Sequence, residues 1–135
     1  VRFDGGFSYD PDRADDSRWV HRCAFDWDRA EDRTDSSTDA GRLYQALQHL
    51  ITIRKSTPEL ANGQSEFFDT GSENVLGYAR TRKIFVLANF SEQTQIVRTP
   101  WLPDDARDLV GGTTYTRQKT ITLAPYQFVW LRAVE

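Results

Sequence analysis

The sequence predicts a mainly β fold, with an antiparallel β-sandwich over residues 61–135, one amphipathic helix over 38–60 and a long loop over 1–37. Three observations lead there. From Gln64 onward, short apolar and β-branched runs alternate with turn residues at nearly regular spacing, as in antiparallel sandwiches and barrels. Before them, Leu43, Leu47, Leu50 and Ile51 recur at spacings of three and four, the period of a helix with one apolar face. Residues 1–37 follow neither period.

The loop is rich in Asp, Arg, Gly and Ser, which alone would indicate disorder. It also carries Phe3, Phe7, Tyr9, Trp19, Phe25 and Trp27, more large apolar side chains than a disordered tail holds. Long structureless segments in compact proteins are usually functional, so the loop reads as an active-site loop whose supporting body lies outside the chain.

In the helix, Ser37 or Thr38 serves as N-cap, Asp39 sits where the dipole favours an anion, and Arg54 and Lys55 occupy the last turn. Pro58 stops it. Ala40, Leu43, Tyr44, Leu47, Leu50 and Ile51 share one face. Burying its four aliphatic side chains would contribute roughly 6–12 kcal/mol, comparable to the stability of a whole domain. That face must therefore dock on something.

Strands are expected near Ser65–Asp69, Val75–Arg80, Ile84–Asn89, Gln93–Arg98, Asp108–Val110, Thr120–Leu123 and Tyr126–Arg132. The run Ile84-Phe85-Val86-Leu87-Ala88 is apolar on both faces and should be central, whereas Thr94-Gln95-Ile96-Val97 is mixed and nearer an edge. Gly71, Asn74, Gly111-Gly112 and Pro125 mark turns.

Composition narrows the classes of function. Apolar and charged fractions of 39% and 27% suit a soluble globular chain. No apolar run approaches the ~20 residues that cross a bilayer, so no membrane partner is expected. The net charge of −3 arises from interleaved acids and bases, without a basic stripe for phosphates, which argues against nucleic acid. The single cysteine, Cys23, permits neither an internal disulfide nor a multi-cysteine zinc site. With only His21 and His49 available as bases, it reads as an inert thiol, compatible with the cytoplasm. Val1 stands where an initiator methionine would, and Arg2, Asp4, Gly5 and Gly6 interrupt any signal-peptide core, so the chain is expected to begin at a cut.

The helix Leu43-Tyr44-Gln45-Ala46-Leu47-Gln48-His49-Leu50-Ile51-Thr52-Ile53-Arg54-Lys55, followed by Pro58-Glu59-Leu60, resembles the eighth helix of an α-amylase-family (β/α)₈ barrel. The segments Val75-Leu76-Gly77-Tyr78-Ala79-Arg80, Phe85-Val86-Leu87-Ala88-Asn89-Phe90-Ser91 and Leu123-Ala124-Pro125-Tyr126-Gln127-Phe128-Val129-Trp130-Leu131 resemble that family's C-terminal antiparallel sandwich. Asp16-Ser17-Arg18-Trp19-Val20-His21-Arg22, with Asp108-Leu109-Val110-Gly111-Gly112 and Pro125-Tyr126-Gln127, is most similar to the amylosucrase and sucrose hydrolase group.

The resemblance implies a C-terminal portion of a retaining enzyme. A pair of carboxylates about 5 Å apart would take glucose from sucrose. Amylosucrases pass it to an α-1,4-glucan and sucrose hydrolases to water. On the family pattern the three catalytic acids lie upstream, so this chain alone is expected to be inactive. The one functional residue carried over is Arg18, matching an arginine that pairs with an upstream Asp and closes the glucose pocket. A planar guanidinium paired bidentately with a carboxylate gives the rigidity such a floor needs. Sucrose and α-glucan are the implied partners, engaged through the barrel, and no cofactor or metal is implied.

Plainer readings stand beside these. Arg18 can be an ordinary surface arginine, His21 a packed loop histidine, and His49 structural. Asp10, Asp12, Asp15 and Asp16 lack the glycine and terminal glutamate of an EF-hand loop and read as a solvated segment. Trp130 and Tyr126 are expected in the core, and Trp101, between Pro100 and Pro103, as the exposed aromatic. Two rival functions are a carbohydrate-binding module and a purely structural sandwich. An isolated chain with an uncovered helix face is expected to self-associate.

Overall fold

The computed structural model describes residues 27–61 and 63–134. The chain divides into two compact units, Val1–Ala46 and Leu47–Glu135.

In the first unit a 3₁₀ helix, Asp28–Thr34, leads into a tight turn. Asp35 Oδ1 accepts the Ser37 N–H at 2.8 Å, and hydrogen bonding with Ser37 holds the Asp35 carboxyl below its ordinary range. Thr38 is the N-cap, its Oγ1 accepting the Gly41 N–H at 3.0 Å and donating to Asp35 O. The helix α1 then runs Asp39–Ser56. Gly41 is buried in its first turn because a Cβ there would lie 1.9 Å from Asp35 O and 2.8 Å from Asp32 O. This close passage of one backbone over another leaves no trace in the hydrophobic pattern.

In the second unit α1 ends at Ser56, and a short helix α2, Pro58–Ala61, follows. The helix thus stops before Pro58, as the sequence predicts, and the rest of the 38–60 segment forms a separate turn of helix after Thr57. Proline disfavours the helical conformation in the residue before it yet fits a first helical turn, where its missing N–H costs nothing. Thr57 is buried, and Leu60 N donates to Thr57 O at 3.0 Å.

Eight strands follow: β1 Ser65–Phe67, β2 Val75–Arg80, β3 Ile84–Asn89, β4 Gln95–Arg98, β5 Asp105–Asp108, β6 Thr114–Thr116, β7 Thr120–Leu123 and β8 Phe128–Ala133. Six form an antiparallel sheet in the order β1-β2-β3-β8-β5-β6, and β4 and β7 form a second, antiparallel pair. β3 is central and buried on both faces, and β4 lies in the two-stranded sheet, in line with the apolar pattern. The strand expected at Asp108–Val110 instead occupies Asp105–Asp108, since 109–113 form the turn into β6, a strand the sequence reading left out.

Between the sheets Val75, Ala79, Phe85, Leu87, Val129 and Leu131 pack with Val97, Ile121 and Leu123. Side chains this large contribute about 1.5–3 kcal/mol each on full burial. A second, smaller cluster lies on the other face of the large sheet, where Leu60 of α2 covers Ile84 and Val86. Gly77 in β2 makes room for Phe68 and Thr70, whose carbons would lie 2.5 Å from a Cβ. Trp101 differs from expectation: it is half-buried, its ring 4.1 Å from Phe68 and 5.1 Å from Phe85 between centroids. The loop after β4 folds back through Leu102 N donating to Thr99 O, and the indole closes the core. Tyr126 also differs. Pro125 sets a tight turn that forces φ to +57° at Tyr126, so its side chain is exposed rather than in the core.

Candidate functional site

Arg18, His21, Cys23 and the aspartates at 10, 12, 15 and 16 lie outside the described residues. Among the described residues no group of three or more His, Cys, Asp or Glu side chains could hold a metal ion, and no helix is long and apolar enough to cross a membrane.

Two of the motif strings prove to be architectural. Asp108 is buried, and its carboxylate accepts N–H groups from Val110 at 3.1 Å, Gly111 at 2.8 Å and Trp130 at 3.0 Å. Its carbonyl accepts the Gly112 N–H at 2.9 Å, and Gly112 has φ +75°. The string Asp108–Gly112 is thus a carboxylate-centred turn joining β5, β6 and β8. Burial, and secondarily the Asp108 charge, raises the pKa of Tyr115 on β6 above the usual phenol range. Asn89, at the end of β3, is likewise fully used: its Nδ2 donates to Gln93 O and Ala124 O, and its Oδ1 accepts from Ser91 N and Oγ. One amide thereby fastens the turns at the β4 and β7 ends of the sandwich. His49 meets Val110 O through Nε2 at 3.1 Å, a structural contact between α1 and the β5–β6 turn.

The outer face of the six-stranded sheet is a different surface. Strand register aligns Phe67, Tyr78, Val86 and Trp130 in one row and Leu76, Ala88 and Phe128 in the next. Phe67 is 73% exposed, and Leu76 and Phe128 are exposed as well. Phe67 and Tyr78 rings lie 5.9 Å apart, and Phe128 and Trp130 rings 6.3 Å apart. A recess of 310 Å³ opens here, with Arg54 of α1 and Arg80 of β2 among aromatic walls. Arg80 donates to Ser65 Oγ and Leu60 O while its buried Nε has no partner. On α1, Leu43, Tyr44, Leu47 and Ile51 of the apolar stripe are exposed too, while Leu50 is half-buried. An aromatic face with strand-paired exposed side chains was not anticipated, although the apolar residues at alternate positions of β2 and β8 were its signal.

No family model matches the chain. Solved structures do resemble it. The structure of AmyP in complex with maltose superposes with a TM-score of 0.61 at 19% identity, over 70% of this chain and 21% of that one. The trehalulose synthase MutB from Pseudomonas mesoacidophila MX-45 gives 0.57 at 22% identity, over 73% of this chain and 20% of that one. Its F164L mutant, from crystals soaked with trehalulose, gives 0.60 at 20% identity over 87% of this chain and 21% of that one. This chain spans about a fifth of the length of these structures. Its antiparallel sheets and few helices have the fold of the C-terminal β domain of α-amylase-family enzymes.

Proposed function

We propose that the chain is the C-terminal portion of a sucrose-acting α-amylase-family enzyme of the amylosucrase type, which transfers glucose from sucrose to an α-1,4-glucan with retention. The observation that carries this reading is the uncovered apolar surface, with Leu47 and Ile51 on α1 and Phe67, Leu76 and Phe128 on the sheet. Apolar faces of this kind are covered by a partner in a working protein. In the proposed enzyme the cover is the catalytic barrel, to which the sandwich is a structural cap. The neighbours that superpose on this domain include MutB E254Q in complex with the substrate sucrose, which supports a sucrose-acting parent.

In this reading the catalytic acids belong to the barrel, and Arg18 supplies the guanidinium that closes the glucose pocket. Sucrose and α-glucan engage the barrel, no cofactor takes part, and the lone cysteine is compatible with the cytoplasm. The isolated chain is inactive and hides its apolar faces by self-association.

Two measurements test the proposal. The coding sequence upstream of Val1 should stay open for a barrel's length, about 250 residues, and encode strand-end Asp, Glu and Asp residues. The extended protein, given sucrose, should then release fructose and lengthen an added glucan. Release of free glucose alone would replace the transferase with a sucrose hydrolase. Formation of an isomer of sucrose would replace it with an isomerase, and a start codon immediately before Val1 would refute the fragment reading.

A further inference from the structure

We propose that the end of the sandwich where the β4–β5 loop meets the β6–β7 turn is a binding site for a sugar phosphate. A cleft of 780 Å³ lies there, lined by Arg98, Arg117 and Lys119 with Asp104 as the acidic member. Three cations against one carboxylate leave a local charge of +2 on a chain whose net charge is −3. Among the described residues none of the three cations enters a salt bridge, a state they share with Arg54, Arg80, Lys83 and Arg107; what sets them apart is that all three line one cleft. A phosphate monoester dianion would neutralise the cleft, and guanidinium groups match its oxygens in charge and in fork geometry.

Arg117 sits at φ +48°, in the left-handed region that favours glycine, with its N–H donated to Asp104 O. This fixes the β6–β7 turn at the cleft, so that Arg117 is held beside Lys119 and across from Asp104. The rest of the ligand follows from the cleft's size and walls. At 780 Å³ it is far larger than an inorganic anion and falls in the range of small-molecule sites. Leu102 and Pro103 give it an apolar wall for the C–H face of a ring, beside polar groups for hydroxyls. A hexose-sized alcohol esterified to phosphate meets both demands. The site uses no residue of the proposed glucose pocket or of the apolar faces, so it stands or falls separately from the sucrose-acting reading.

Calorimetric titration of the full chain with glucose 6-phosphate at low salt tests it, with inorganic phosphate and glucose as separate probes. Glucose 6-phosphate is expected to bind saturably and more tightly than phosphate, and glucose not to bind. Arg98→Gln and Arg117→Gly should each weaken binding about tenfold or more, the loss of a hydrogen bond to a charged group. Because Arg117→Gly relieves a positive φ, its thermal midpoint should stay level or rise, which separates lost binding from lost folding. The proposal is overturned by an absence of binding, by affinity that both variants leave unchanged, by equal binding of glucose, or by phosphate binding as tightly as its sugar ester.

Discussion

Replacing Asp108 by Ala tests whether one carboxylate organises the β5–β6 turn. Three backbone N–H groups converge on it, from Val110, Gly111 and Trp130. Each hydrogen bond to a charged group contributes about 1.5–3 kcal/mol net, and bonds within one turn are not additive. After truncation, water can reach the half-exposed Val110 and exposed Gly111, but the Trp130 N–H lies within a paired strand. The expected loss is therefore about 3–4 kcal/mol, less than the full sum. Asp108→Asn should cost less, about 1–2 kcal/mol. Its remaining oxygen can keep the Val110 and Trp130 bonds made by Oδ1, while its NH₂ opposes the Gly111 N–H at Oδ2. Urea unfolding of the full chain, followed by tryptophan fluorescence and circular dichroism, gives both numbers if the two probes coincide. A stability of Asp108→Ala within about 0.5 kcal/mol of the parent, the range of an inconsequential surface change, would refute the turn's dependence on this carboxylate.

Gly77→Ala should destabilise by about 1–3 kcal/mol through overpacking against Phe68 and Thr70, and should shift the emission of Trp101, whose ring rests on Phe68; an unchanged unfolding midpoint would contradict it. The raised Tyr115 pKa means that the folded state holds the phenol proton more tightly than the unfolded state. Its stability contribution is complete below the ordinary tyrosine pKa and is lost as pH rises through the higher folded value, so an ultraviolet titration should find one phenol ionising late, and earlier in Asp108→Asn. In the extended enzyme, Arg18→Lys should lower kcat/KM for sucrose at least tenfold, because a lysine cannot form the planar two-point pair; unchanged turnover would remove Arg18 from the pocket. Thr81→Gly at the β2–β3 turn, where φ is +52°, should raise stability by about 1 kcal/mol, read from the same urea curves; a loss would show that the turn is not strained.

The functional residues divided according to whether their roles are local. The Thr38 cap and the Pro58 stop could be read because capping and proline sterics act over three or four residues. Arg18 is named from a short string alone, and its role depends on an upstream carboxylate that no periodicity within this chain encodes. The cleft at Arg98, Arg117 and Lys119 was invisible for a related reason: residues some twenty positions apart form one charged surface only when β4 pairs with β7, and overall composition averages their charge away.

By itself the sequence determined the helix at α1, the central β3 and most of the antiparallel strands, because apolar period and turn chemistry are properties of neighbouring residues. Only the tertiary structure decided the strand order, the burial of Trp101, the exposure of Tyr126 and the job of Asp108 as a hub for three N–H groups. Each of those depends on which distant segments meet, and a period of two or 3.6 residues assigns a side chain to a face without naming what covers it. That is also why the apolar stripe of α1 could be foreseen while its partner could not.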